Sequence, residues 1–154
     1  DAALEFLHKI FVDCEEDKEG KCAQYRFFSY VSSMYHKCEV LISEIIPGKS
    51  GKNHKIPIAV KNNGMYIAVG FNKPTGHAVS KRDIIRFYEI VNDVKNGDHG
   101  TQLIDAIFGS SSGFKGEGLV ELEKLSKMRG IDPENKLNFK TANFENRIYS
   151  VTKC

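Results

Sequence analysis

The sequence predicts an α+β fold, with an antiparallel sheet built from two hairpins, at about 55–71 and 136–152, and helices packed on it. Apolar residues recur at helical spacing in some segments and alternate with polar residues in others. The strands also fall in adjacent pairs rather than in strand–helix–strand units. With 154 residues, the chain has a suitable length for a single α+β domain, 1–154, with its own core.

The N-terminal part predicts two helices, at 2–12 and 23–46. In the second helix, an apolar stripe follows alternating steps of four and three residues, which is typical of a helix packed on a core. The stripe comprises Phe27, Val31, Met34, Cys38, Leu41 and Ile45. Pro47 and Gly48 then predict the end of this helix.

The segment 55–71 carries the clearest hairpin pattern. Apolar residues alternate on both sides of Asn62-Asn63-Gly64, where a positive φ is easily adopted. Pro57 has no amide hydrogen to give to a sheet, so it predicts an edge or a bulge in the first strand.

The rest of the chain predicts three more helices and the second hairpin. The first helix, at 81–95, begins at a capping box made by Ser80 and Asp83. A short helix at 102–108, a serine-rich loop at 110–113 and a helix at 117–129 follow. The closing strands are expected near 136–141 and 146–152.

Cysteine usage predicts a secreted protein stabilised by disulfides. The cysteines are Cys14, Cys22, Cys38 and Cys154, and four cysteines allow three connectivities. Cys14 and Cys22 flank a polar loop, and a cysteine at the chain end is well placed to tether it, so we expect Cys14–Cys22 and Cys38–Cys154. The alternative is four reduced thiols in a cytosolic protein. A start at Asp1 rather than at methionine is expected of a processed product or an excised domain.

Composition and motifs exclude several function classes. The formal net charge of +2 is too small to indicate nucleic-acid binding by itself, and no apolar run approaches the ~18 residues of a membrane span. The cysteines and histidines lack zinc spacing, and the signatures of serine hydrolases, zinc proteases and dinucleotide-binding proteins are absent. The basic loop 47–55 lacks the spacing of a phosphate-binding loop. Because none of these motifs is present, we predict neither a metal nor a cofactor.

Two loop histidines are the candidate catalytic residues. His54 begins the hairpin and His77 follows it, so both are expected at the open end of the hairpin, next to the start of helix 81–95. Two imidazoles and a cation suffice for RNA cleavage without metal. A helix N-terminus also attracts anions, so an anion site is expected from nearby basic residues. These are Lys52, Lys55, Lys81 and Arg82.

Two functions follow from these observations. The first is a secreted protein that binds a protein partner, such as a host-directed effector or a toxin component; the small size, the cysteines and the missing catalytic motifs favour it. The alternative is a secreted, metal-independent ribonuclease of the toxin type, in which His54 and His77 act as acid and base and RNA is the substrate.

Overall fold

The computed structural model of the protein describes residues 21–73, 77–128 and 137–144. These residues form three helices and five strands. The helices are α1 (Lys21–Met34), α2 (Lys81–Asn96) and α3 (Gly116–Met128). The strands are β1 (Glu39–Pro47), β2 (Asn53–Asn62), β3 (Met65–Lys73), β4 (Asp105–Ser110) and β5 (Asn138–Asn143).

The strands form one mixed sheet in the order β1-β2-β3-β4-β5. Strands β1, β2 and β3 form an antiparallel meander, whereas β3, β4 and β5 run parallel and are joined through α2 and α3. The α+β class is confirmed, but the purely antiparallel sheet is wrong. The predicted strand at 136–141 is present as β5, yet it pairs in parallel with β4, and the predicted strand at 146–152 lies outside the described residues.

Helices pack on both faces of the sheet. On one face, α1 contributes Phe27 and Val31 to a buried cluster that includes Ile107 of β4. On the other face, α2 and α3 pack over Ala106 and Phe108 of the same strand. Strand β4 is buried at every position because it has a parallel neighbour on each side and helices on both faces.

The predicted hairpin is confirmed. Strands β2 and β3 are joined by Asn63 and Gly64, whose φ angles are 53° and 78°, as a type I′ turn requires. Pro57 lies in an interior strand rather than at an edge. It faces Ser43, whose φ is 57°, between the pairs Ile42–Ile58 and Glu44–Ile56.

The helices at 81–95 and 117–129 are confirmed as α2 and α3. Ser80 caps α2, and its side chain accepts a hydrogen bond from the Asp83 amide while the Asp83 carboxylate accepts one from the Ser80 amide. These interactions complete the predicted capping box.

One predicted helix is too long, and another is wrong. The helix at 23–46 ends at Met34, Lys37 adopts a φ of 66°, and the following residues form β1. The helix at 102–108 is replaced by β4, which spans most of it and continues to Ser110. In both segments the sheet provides partners for apolar residues that also fit a helical spacing.

The described residues contain no disulfide, and Cys38 carries a half-buried free thiol. The structure therefore gives no support to a Cys38–Cys154 bond. Cys14 and Cys154, like the predicted helix at 2–12, lie outside the described residues, as does the side chain of Cys22. No helix in the described ranges is long and apolar enough to cross a bilayer.

Candidate functional site

A cleft of about 190 Å³ opens where β3 ends beside the first half of α2. Four of its lining residues come from α2, at positions 83, 86, 87 and 90, a spacing that places them on one helix face. The last three residues of β3 line the opposite side, together with Pro57 and Phe108. The floor is aromatic and aliphatic, and the polar lining residues are Asn72, Lys73, Asp83 and Arg86.

An ion pair between Lys73 and Asp83 lies at this cleft. The Lys73 ammonium is 2.5 Å from Asp83 Oδ2 and also donates to the carbonyl oxygen of Ala78 at 3.3 Å. Ser80 donates to Asp83 through both its amide and its hydroxyl, at 2.9 and 3.0 Å. Burial alone would raise the pKa of Asp83, but the hydrogen bonds from Lys73 and Ser80 outweigh burial and lower it. Asp83 therefore stays ionised and fixes the ammonium in place.

Further basic residues surround the first turns of α2. Arg86 lines the cleft, and its side chain is exposed. The predicted anion-binding residues Lys81 and Arg82 are also exposed. Lys81 is 4.0 Å from the carboxylate of Glu121 on α3. Three basic side chains thus lie on the first two turns of α2, and the helix dipole favours an anion at the first of these turns.

The predicted anion-binding residues Lys52 and Lys55 occupy a different region. Lys52 lies in the loop between β1 and β2, Lys55 lies on β2, and both are exposed. That loop is held near the C-terminal end of α2, because the Lys49 amide donates to the carbonyl oxygen of Asp93 at 2.9 Å. The four predicted residues are therefore divided between the two ends of this helix.

His54 is fixed by the carboxylate of Asp93. Its Nε2 is 2.6 Å from Asp93 Oδ2, which also accepts a hydrogen bond from the Ser50 hydroxyl at 2.6 Å. The Ser50 amide donates to the other carboxylate oxygen at 2.9 Å. The hydrogen bonds from Ser50 and His54 lower the pKa of Asp93 to about 2. Sequence reasoning did not single out Asp93, although it joins the β1–β2 loop to α2.

Ser50, Asp93 and His54 have the residue types of a catalytic triad but not its order. In a triad the histidine stands between the serine and the acid and accepts the serine proton. Here the carboxylate stands between the other two, so Ser50 has no imidazole base beside it. The arrangement fits a clamp that fastens a loop.

The two predicted catalytic histidines have different surroundings. His54 is half-buried against Asp93, near the C-terminal end of α2, whereas His77 is exposed and precedes the N-cap residue Ser80. At 1.5 Å per residue, about 20 Å of helix separate Ser80 from Asp93. The structure therefore places the histidines toward opposite ends of α2 rather than in one hydrogen-bonded pair.

A second polar cluster surrounds the buried carboxylate of Asp105, which the sequence gave no reason to select. Tyr35 donates to Asp105 Oδ2 at 2.5 Å, Asn138 donates to Oδ1 at 3.1 Å, and Lys140 is 3.3 Å away. Burial and the hydrogen bond to Asp105 raise the pKa of Tyr35 well above its usual value. This cluster joins the residue that follows α1 to β4 and β5.

Metal-ligand geometry and comparisons with known proteins do not identify a function for this chain. Among the described residues, no three histidine, cysteine or acidic side chains lie close enough to share a metal ion.

No family model and no curated protein matches the sequence significantly. The fold is similar to a crystal structure of AF1548, a protein of unknown function, with a TM-score of 0.50 and 13% identity. The match covers 77% of this chain and 58% of that one; it concerns the fold alone.

The cleft residues were only partly visible in the sequence. Asp83 was selected as a helix cap, and Lys81 and Arg82 as neighbours of the helix start. Arg86 was missed, although its spacing from Asp83 and Ile90 places the three residues on one side of the helix. Its position beside Lys73 depends on how α2 crosses the end of β3, which helical periodicity does not specify.

Proposed function

We propose that this chain is a binding protein whose cleft at the end of β3 receives an anionic group of its ligand. The observation that carries the proposal is that Lys73 and Arg86, from separate elements, line one small cleft. Arginine and lysine are the side chains that bind phosphate and carboxylate groups best.

Charge and position both support an anion here. The cleft contains two cationic side chains and one carboxylate, and that carboxylate already accepts hydrogen bonds from Lys73 and Ser80. The lining therefore keeps a net positive charge, and Arg82, exposed on the first turn of α2, adds a further cation at the same end of the helix. The carboxyl end of a parallel strand is also where sheets flanked by helices commonly bind ligands.

Binding is favoured over catalysis because the candidate acid and base lie toward opposite ends of α2. Secretion, a protein partner and the effector or toxin role remain predictions of the sequence. They are compatible with this proposal, since an anionic group can be carried by a partner.

Isothermal titration calorimetry with inorganic phosphate tests the proposal. Arg86→Gln should weaken binding about tenfold or more, as expected for one hydrogen bond to a charged group. The control Lys37→Gln makes the same change of charge at an exposed residue between α1 and β1 and should leave the affinity unchanged. Absence of binding, or equal loss in both variants, would contradict the proposal.

Incubation of the protein with RNA and a chelator tests the alternative. We expect no cleavage. Cleavage by the wild type that disappears in the paired variant His54→Ala, His77→Ala would instead support the metal-independent ribonuclease.

A further inference from the structure

The sequence contains two Asn-Gly pairs, and the structure gives them different surroundings. They are Asn63-Gly64 and Asn96-Gly97. An asparagine followed by glycine is prone to spontaneous deamidation, because glycine has no Cβ atom to keep its amide nitrogen away from the preceding side chain. Since both asparagines precede a glycine, a large difference in their reactivity has to come from the fold.

The first pair forms the exposed tip of the β2–β3 hairpin. Asn63 and Gly64 are both exposed, and a Cβ atom on Gly64 would meet nothing within 4 Å. The turn is closed by the pair Asn62–Met65, and among the described residues no backbone carbonyl accepts from the Gly64 amide. Because an exposed loop tip opens locally at low cost, the Gly64 nitrogen and the Asn63 side chain are free to meet.

The second pair is held by hydrogen bonds and packing. Gly97 is buried, and its amide donates to the carbonyl oxygen of Val94 at 3.1 Å. A Cβ atom on Gly97 would lie 3.0 Å from backbone atoms of the β1–β2 loop, so the glycine packs closely against that loop. The Asn96 side chain is directed back along α2, where Nδ2 donates to the carbonyl oxygen of Asn92 at 2.9 Å. The two groups that would have to react are therefore both engaged elsewhere.

We propose that Asn63 is a site of spontaneous deamidation through a succinimide, and that the fold protects Asn96 from the same reaction. A solvent base removes the proton of the Gly64 amide, and the nitrogen attacks Cγ of Asn63. The new N–Cγ bond forms as the Cγ–Nδ2 bond breaks, and the side-chain nitrogen takes up the proton and leaves as ammonia.

Water then opens the five-membered ring and returns a proton to the Gly64 nitrogen. Cleavage of the ring at the main-chain carbonyl carbon of Asn63 gives isoaspartate, whereas cleavage at Cγ gives aspartate. In both cases one water is consumed and one ammonia is released, and no oxidant or reductant is needed.

The two products affect the hairpin differently. Isoaspartate adds a methylene group to the backbone of a turn that needs two ordinary residues with positive φ. Aspartate fits the turn, since Asp-Gly is one of its preferred sequences. The turn and Lys73 lie at opposite ends of β3, so the modification is independent of the proposed anion site.

Ageing the purified protein in mildly alkaline buffer tests the proposal. Peptide mapping by mass spectrometry locates the products, and Lys95 separates the two pairs into different tryptic peptides. In the folded protein Asn63 should react about tenfold faster than Asn96 or more, because reaction at Gly97 must first break a backbone hydrogen bond and its packing. In denaturing urea the two rates should become similar. A sample digested without ageing corrects for deamidation during digestion.

Two variants test the effect on the hairpin. Asn63→Gly removes the reacting amide and keeps a residue that adopts a positive φ freely, so ageing should leave its melting temperature unchanged. Ageing should lower the melting temperature of the wild type. Freshly purified Asn63→Asp should melt with the fresh wild type, because this turn accommodates aspartate.

Three results would overturn the proposal. Absence of isoaspartate and aspartate at Asn63 in the aged wild type would exclude the site. Equal rates at Asn63 and Asn96 in the folded protein, or a difference that persists in urea, would show that the fold does not control the reaction. An equal loss of melting temperature in aged Asn63→Gly and aged wild type would show that the hairpin is not affected.

Discussion

Replacing Gly109 with alanine should destabilise the protein through a clash with Phe27. A Cβ atom at position 109 would lie 2.7 and 2.9 Å from two ring carbons of Phe27 and 3.2 Å from Asn72 Oδ1. The Phe27 ring is fully buried and also packs against Gly70, where a Cβ atom would come within 2.9 Å of it. The ring therefore has little room to move away.

The expected loss follows from the cost of overpacking a core. An added methyl group in a well-packed interior typically costs about 1–3 kcal/mol. Restriction of the unfolded chain by alanine offsets roughly 0.4–1 kcal/mol of this cost. We therefore expect the free energy of unfolding to fall by about 1–2 kcal/mol, measured by urea denaturation.

Gly116→Ala is the matched control, since a Cβ atom there would meet nothing within 4 Å at the start of α3. Its free energy of unfolding should equal that of the wild type or exceed it by up to about 1 kcal/mol. Phe27→Leu should cost less in the Gly109→Ala background than in the wild type, because the smaller side chain relieves the clash. Equal stability of the two alanine variants, or additive effects of Phe27→Leu and Gly109→Ala, would refute the reasoning.

Three further predictions concern the turn, the loop clamp and the cysteines. Gly64→Val should lower stability by about 1 kcal/mol or more, since the φ of 78° is unfavourable for a β-branched residue; an unchanged melting temperature would contradict this. The pKa of Asp93 is lowered to about 2 from the ordinary 3.8. The ionised carboxylate therefore stabilises the fold fully above pH 3.8, and this contribution is lost as the pH falls through about 2. Asp93→Asn should therefore unfold with a weaker pH dependence between pH 4 and pH 2 in acid titrations followed by circular dichroism, and an identical slope would count against the clamp. Because Cys38 carries a free thiol, iodoacetamide should alkylate it in the unreduced protein, and an intact mass about 4 Da below that of the reduced protein, as two disulfides would give, would contradict the free thiol.

The parts of the fold that the sequence predicted correctly depend on local interactions. The turn at Asn63 and Gly64 needs only two residues that tolerate a positive φ. Helix α2 begins where Ser80 and Asp83 satisfy each other's amides, and this pairing is complete within four residues. Neither feature requires information about distant parts of the chain.

The elements that were mispredicted depend on distant partners. In β1, the apolar spacing fits a helix, and the choice of a strand comes from pairing with β2 across the sheet. Ala106, Ile107 and Phe108 in β4 are all buried, because helices cover both faces of this interior strand. Such a strand shows no alternation of apolar and polar residues, and a short apolar run does not distinguish it from a helix.

The candidate site shows the same division. By itself the sequence determined that basic residues gather at the start of α2, since capping and charge are properties of neighbouring residues. Only the tertiary structure decided that Lys73 and Arg86 line one cleft, that His54 binds Asp93 at the other end of the helix, and that Asn72 lies against Gly109. These contacts arise from the parallel crossover between β3 and β4, which places α2 over the sheet, and a crossover is a relation between distant segments that local patterns do not encode.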